Sequence, residues 1–200
     1  MKKIFTFILS ILFITLPAKA DEGGVKFVEK LTNDIIDNVL VADIPEEEKI
    51  KIFHDRFKED LDITAIGRQV SGVYWRKSSK KDQAEFLEVF LDFTTKSWAD
   101  KFNLYTGQKI NFSGIKPAKS NQFFVVSEVQ YNPPAEFLWR LKKVGNTYKI
   151  TDIIIEGVSM VASYRNEYTA FLHKNEGQLS ALTNELRAKS ASFKFTKKTK

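Results

Sequence analysis

Beyond position 20 the apolar residues first recur at helical spacing. Val25, Val28, Leu31 with Thr32, Ile35 and Val39 predict an amphipathic helix over 23–41. Pro45 stands at a first helical position ahead of Glu46, Glu47 and Glu48, where negative charge suits the helix dipole. Ile50, Phe53 and Phe57 give that second helix its buried stripe, and a shorter helix over 63–71 stops at Gly72. Ser79 with Asp82 resembles a capping box and opens the longest helical pattern, to about Leu104 ahead of Gly107. Phe86, Phe90, Phe93 and Ser97 mark one of its stripes, and Leu87, Leu91, Thr94, Trp98 and Phe102 the next. A helix apolar over that much of its circumference is central to a core or wraps an apolar ligand.

After Gly107 the period changes from 3.6 to 2, which predicts strands at 108–115, 122–131, 136–143 and 147–156 in an antiparallel meander. Asn132-Pro133-Pro134 separates the second from the third, and Gly145-Asn146 is a two-residue hairpin signal that begins with Gly. Phe137, Trp139 and Leu141 share one face of their strand, while Arg140 and Lys142 share the other with Leu138. Ser159 can cap a helix carrying Val161, Tyr164, Tyr168 and Leu172, which Gly177 ends. A last helix carries Leu179, Leu182 and Leu186. Helices, then a sheet, then helices is an α+β arrangement of four to five mostly antiparallel strands.

Composition adds an address. Lys2 and Lys3, an apolar run from Ile4 to Leu16 and the small residues of Ala18-Lys19-Ala20 read as a secretory signal peptide cleaved after Ala20. The run is too short to span a bilayer, which takes about 20 apolar residues. Residues 21–193 then form one domain and 194–200 a lysine-rich tail. The net charge of +6 lies in the ends. Of 31 basic residues, three precede position 21 and four follow 193, so the body holds 24 against 25 acidic ones. Nucleic-acid binding is disfavoured by that balance and by export. A cysteine-free exported chain relies on burial rather than disulfides, which suits the periplasm of a Gram-negative bacterium.

Candidate chemistry is sparse. With no cysteine and only His54 and His173, both on polar helix faces, there is no metal-ligand cluster or thiol nucleophile. Gly157-Val158-Ser159 opens like a nucleophile elbow, but the closing glycine is missing. Ser78-x-x-Lys81 lacks its companion motifs. Asp152 and Glu156, four residues apart on one strand, stand roughly 13 Å from each other, too far for a shared catalytic site. No cofactor is implied.

Three segments together resemble the MlaC family of periplasmic phospholipid carriers. They are Phe53-His54-Asp55-Arg56-Phe57 leading into Asp62-Ile63; Ile66 to Arg76 followed by Phe86-Leu87-Glu88-Val89-Phe90; and Asp152 to Arg165, the most specific. Ser71 departs from the pattern, where Leu is usual before the glycine. The resemblance implies a mixed sheet and packed helices around a deep apolar pocket for acyl chains. It also implies a soluble, monomeric shuttle that exchanges lipid with the MCE-domain ring of an inner-membrane ABC transporter and with an outer-membrane lipoprotein bound to a porin, maintaining outer-membrane lipid asymmetry. Ile66, Val70, Phe90, Phe93, Trp98, Trp139, Ile153, Ile155, Val158, Val161 and Tyr164 are the expected pocket residues, and each serves ordinary core packing equally well. Arg68, Arg76 and Arg165 fall in the matched segments, where orienting a phosphate and forming structural ion pairs are both open to them. Two other readings of the chain are a ligand-free envelope interaction module and a small secreted enzyme using Asp152 or Glu156 as a general base.

Overall fold

The computed structural model describes residues 22–102 and 105–193, with backbone alone at 101 and 102. The leader expected over 1–20, the tail 194–200, the Phe102 side chain and the Leu104 end of the long helix lie outside the described residues.

Helix α1 (Glu22–Ile35) continues into a π-helical turn, Ile36–Leu40, closed by the Val41 N–H donating to the Ile36 carbonyl at 3.0 Å. Helix α2 (Glu46–Asp60) starts one residue later than expected, with Pro45 as its N-cap. The Asp62 carboxylate accepts from the Ala65 N–H at 3.0 Å and so opens α3 (Ile63–Ser71), which Gly72 ends at φ +59°. A short α4 (Val73–Lys77), not anticipated from the sequence, follows that turn. In front of α5 (Lys80–Phe102), the Asp82 N–H donates to Ser79 Oγ at 3.1 Å, while the Ser79 hydroxyl donates to the Asp82 carboxylate at 2.7 Å.

Strands β1 (Ile110–Pro117), β2 (Gln122–Val129), β3 (Ala135–Val144), β4 (Thr147–Ile155) and the two-residue β5 (Val158–Ser159) form one sheet in that order. Every pairing among them is antiparallel. The sheet is therefore not mixed, and Leu61 with Ile150 forms an isolated parallel bridge beside it. Val144 pairs with Thr147 across Gly145-Asn146, where Gly145 takes φ +58°. The Ser159 hydroxyl oxygen accepts from the Ala162 N–H at 3.0 Å and caps α6 (Met160–Lys174), and α7 (Leu179–Ala191) completes the chain.

The helices pack on one face of the sheet. Its register places Phe123, Val125 and Ser127 of β2 beside Leu141, Trp139 and Phe137 of β3, with Val129 opposite Ala135. On β4 the partners of Leu141 and Trp139 are Ile150 and Ile153, three residues apart, because Thr151 is an extra residue in a bulge. The bulge puts Ile150 and Ile153 on the same inner face, where strict alternation would put them on opposite faces. Away from the sheet, Phe86, Tyr168, Leu172, Leu179, Leu182 and Leu186 are all but inaccessible and fill the contact of α5 with α6 and α7. Burying each such side chain contributes about 2 kcal/mol.

Candidate functional site

Between α1, α2, α5 and the inner sheet face lies an apolar cavity of about 820 Å³, its open mouth included. A second lobe of about 420 Å³ lies between α3, α5, α6 and β4. Phe57, Leu61, Trp98, Ile150 and Ile153 line both lobes, so these five side chains form the partition between them. The partition is held at its centre by backbone. The Asp62 N–H donates to the Ile150 carbonyl at 2.9 Å, which pins the α2–α3 junction to the free edge of β4.

The first lobe draws Leu31, Thr32 and Ile35 from α1, Ile36 and Leu40 from the π turn, and Ile110, Val129, Phe137 and Trp139 from the sheet. The sequence already marks Leu31, Thr32 and Ile35 as a buried stripe, but not as a cavity wall. Half-buried Ile36, Leu40 and Tyr105 and the 42%-exposed Tyr131 stand where this lobe opens. Trp139 is fixed in the wall, its indole N–H donating to Ser127 Oγ at 2.9 Å and its ring stacked on Phe137 with centroids 6.2 Å apart. Across the cavity, Phe57 and Trp98 meet edge to face at 6.4 Å.

Of the residues expected to form a pocket, Trp98, Trp139 and Ile153 line the first lobe, while Ile66, Phe90, Trp98, Ile153, Val161 and Tyr164 line the second. Val70 is fully buried and packs into the closed core. Phe93 and Ile155 are half-buried against that core, and Val158 is 56% exposed on the edge strand β5. These four line neither lobe, because facing the right element does not decide which stretch of it stands over open space.

Two carboxylates reach the lining, Asp60 in the first lobe and Asp152 in the second, and Glu156 lines neither. Asp152 is 3% exposed and its oxygens are occupied: Ser159 Oγ donates at 2.6 Å, the Val161 N–H at 3.1 Å, and Arg140 stands at 3.8 Å. It fastens β4 to the first turn of α6. Glu156, in the left-handed region at φ +49°, accepts from the Glu136 N–H. Both acids are thus tied into backbone hydrogen bonds. Asp60, 5% exposed, pairs with Arg56 at 2.9 Å. Burial pushes its carboxyl up from the ordinary carboxylate range, against the opposing pull of the Arg56 charge. Burial likewise raises the phenols of Tyr164 and Tyr168, which stay neutral. His54 is half-buried and His173 exposed, and among the described residues no group of three His, Cys, Asp or Glu is placed to hold a metal ion. Among those residues, too, no helix is long and apolar enough to cross a membrane.

Such a site excludes water, offers dispersion contacts and aromatic faces, and presents few polar groups. It suits long apolar chains rather than a polar substrate. Arg68, Arg76 and Arg165 line neither lobe, and among the described residues none of the three is in an ion pair.

The family model described as MlaC protein matches residues 27–188. The chain is 22% identical over 181 residues to the intermembrane phospholipid transport system binding protein MlaC of Haemophilus influenzae, covering 86% of this chain and 85% of that protein. Its fold is similar, with a TM-score of 0.72 and 17% identity, to a phospholipid-binding protein from Ralstonia solanacearum solved in complex with a phospholipid. That likeness covers 84% of this chain and 97% of the other.

Proposed function

The chain belongs to the MlaC family, and from that premise we propose that it is a periplasmic phospholipid carrier whose two-lobed cavity holds acyl chains. The observation that carries this reading is the apolar cavity itself, because a filled core of the same residue types would transport nothing. The Haemophilus relative is named for intermembrane phospholipid transport, and the Ralstonia protein holds a phospholipid on the same fold.

The physical requirement is large. Moving a phospholipid through water exposes acyl chains at about 0.8 kcal/mol per CH₂, on the order of 20 kcal/mol for two chains. A dry cavity removes that cost without a catalytic group or nucleotide. Ile66, Phe90, Trp98, Trp139, Ile153, Val161 and Tyr164 contact the chains in this proposal, together with Leu31, Ile35, Val129 and Phe137 of the first lobe. The half-buried residues at the mouth are where the headgroup stays near water. In the full reading, residues 1–20 direct export and 21–193 form the carrier. The chain then trades lipid with an MCE-domain ring of an inner-membrane ABC transporter and with an outer-membrane lipoprotein on a porin, sustaining outer-membrane lipid asymmetry. The structural hydrogen bonds of Asp152 and Glu156 favour this reading over a secreted enzyme.

Native mass spectrometry of the protein purified from a bacterial periplasm, followed by lipid extraction, tests the proposal. Near-stoichiometric phospholipid is the expected result. A folded protein that is lipid-free, and remains so after incubation with liposomes, overturns it in favour of an interaction module.

A further inference from the structure

The chain has six arginines: Arg56, Arg68, Arg76, Arg140, Arg165 and Arg187. Three of them meet carboxylates, Arg56 at Asp60, Arg140 at Asp152 and Arg187 at Glu85. The other three are exposed and in no ion pair among the described residues, and all of them line one surface groove of about 600 Å³ with Gln69, Gly72 and Val73.

The groove is built by the turn at Gly72. The chain leaves α3 there at φ +59° and enters α4, which sets Arg68 and Arg76 on either side of the turn. Arg165 comes from α6, its Nη2 3.9 Å from where a Cβ on residue 72 would stand. That is ordinary contact distance, so Arg165 borders the turn, while Thr169 Cγ2 of the same helix stands closer, at 3.1 Å from the same point. Arg68 and Arg76 lie in the last turns of α3 and α4, where a cation complements the helix dipole. Arg165 lies in the interior of α6 and has no such role. Three like charges in one groove repel each other, and among the described residues no carboxylate pairs with any of them. Guanidinium forks match the geometry of a phosphate oxyanion, and Val73, 51% exposed, adds an apolar contact beside them.

We propose that the Arg68, Arg76 and Arg165 groove binds a phosphate-class oxyanion, either the phosphodiester of a lipid headgroup or a free phosphate. The groove is separate from both lobes of the cavity, so the inference stands whether or not the cavity carries lipid.

The test titrates the whole protein with inorganic phosphate at low ionic strength and follows the arginine Nε–H resonances. Saturable shifts at Arg68, Arg76 and Arg165, and not at Arg56 or Arg187, are expected. Arg165→Gln should weaken binding about tenfold, the triple change to Gln should abolish it, and Lys81→Gln should leave it unchanged. A second arm floats the protein with vesicles of phosphatidylglycerol in phosphatidylcholine. Vesicle binding by the parent that the triple variant loses, and that free phosphate competes away, identifies a headgroup. Phosphate binding with the same flotation in parent and triple variant identifies a soluble phosphate. Shifts that never saturate, or that persist in the triple variant, overturn the proposal and leave solvated arginines. All three side chains are exposed, so the denaturation midpoints should match the parent's. Co-purified lipid, measured on the same samples, tests the carrier reading separately.

Discussion

On the inner face of the sheet, Leu141 and Trp139 are two residues apart, and their surroundings differ. At Leu141 the helix lies against the strands: a Cβ on Gly24 of α1 would stand 3.3 Å from the Leu141 side chain and 2.5 Å from the Phe123 ring, and Leu141 is fully buried. Trp139 is 6% exposed, nearly as hidden, yet it borders the open first lobe. Burial from solvent and filling of space are thus different properties. The glycine at one end lets a backbone close onto the sheet, while at the other end α1, α2 and α5 remain a cavity's width away. Residue type is apolar at both ends and does not decide between them.

The largest expected effect tests whether that difference is real. Leu141→Ala should cost about 3–4 kcal/mol, because its surroundings cannot collapse. Ile153→Ala, on the same face but bordering both lobes, should cost about 1–2 kcal/mol, since part of the removed side chain faces space that is already empty. Urea denaturation of the lipid-stripped protein measures both, and equal costs would show that the lobe is filled.

Next in size is the fastening at the edge of the second lobe. Asp152→Ala leaves the Ser159 hydroxyl and the Val161 N–H without their acceptor and should cost about 2–3 kcal/mol. The same denaturation curves check it, and a change below about 0.5 kcal/mol would mean that water replaces the carboxylate.

Enlargement sharpens the comparison from the other side. Val125 and Val129 share β2 and its inner face, but only Val129 lines the cavity. Val125→Phe should destabilise by about 1–3 kcal/mol through overpacking, and Val129→Phe by less than about 1 kcal/mol. Lipid retained per molecule, read by native mass spectrometry, should fall for Val129→Phe. Retention equal to the parent's would remove Val129 from the proposed chain-binding wall.

The smallest effect is electrostatic. Burial raises the Asp60 carboxyl above its unfolded value of 3.8, so the native state keeps that proton to higher pH than the unfolded chain does. The associated stability is present below 3.8 and is lost as pH rises from there through the native pKa. Against Asp60→Asn as reference, the parent should therefore lose stability across that window and run parallel to it above. Paired denaturation midpoints between pH 4 and 7 check this, and curves parallel throughout would show that the Arg56 charge cancels the burial cost.

Much of the fold was legible because its signals are local. The acidic first turn after Pro45, the Ser79–Asp82 cap, the turn at Gly145 and the Ser159 cap each act within four residues, and the structure shows them as read. The cavity was legible in part. Seven of the eleven residues expected to form it line a lobe, while Val70, Phe93, Ile155 and Val158 do not. The bulge at Thr151 was invisible, and with it the reason that Ile150 and Ile153 face the same way. Nor did the sequence show that Arg68, Arg76 and Arg165 would line one groove with no carboxylate partner among the described residues, since Arg165 lies some ninety residues beyond the other two.

The sequence by itself determined the order and type of the longer helices and of the first four strands, the stripes they bury and the family to which the chain belongs, but not the π turn, α4 or β5. Periodicity, capping and turn chemistry are energies between near neighbours along the chain. Only the tertiary structure decided which apolar surfaces meet and which stay apart, because that depends on distances between backbones remote in sequence. A few ångströms there turn the same side chains from a packed core into the wall of a cavity.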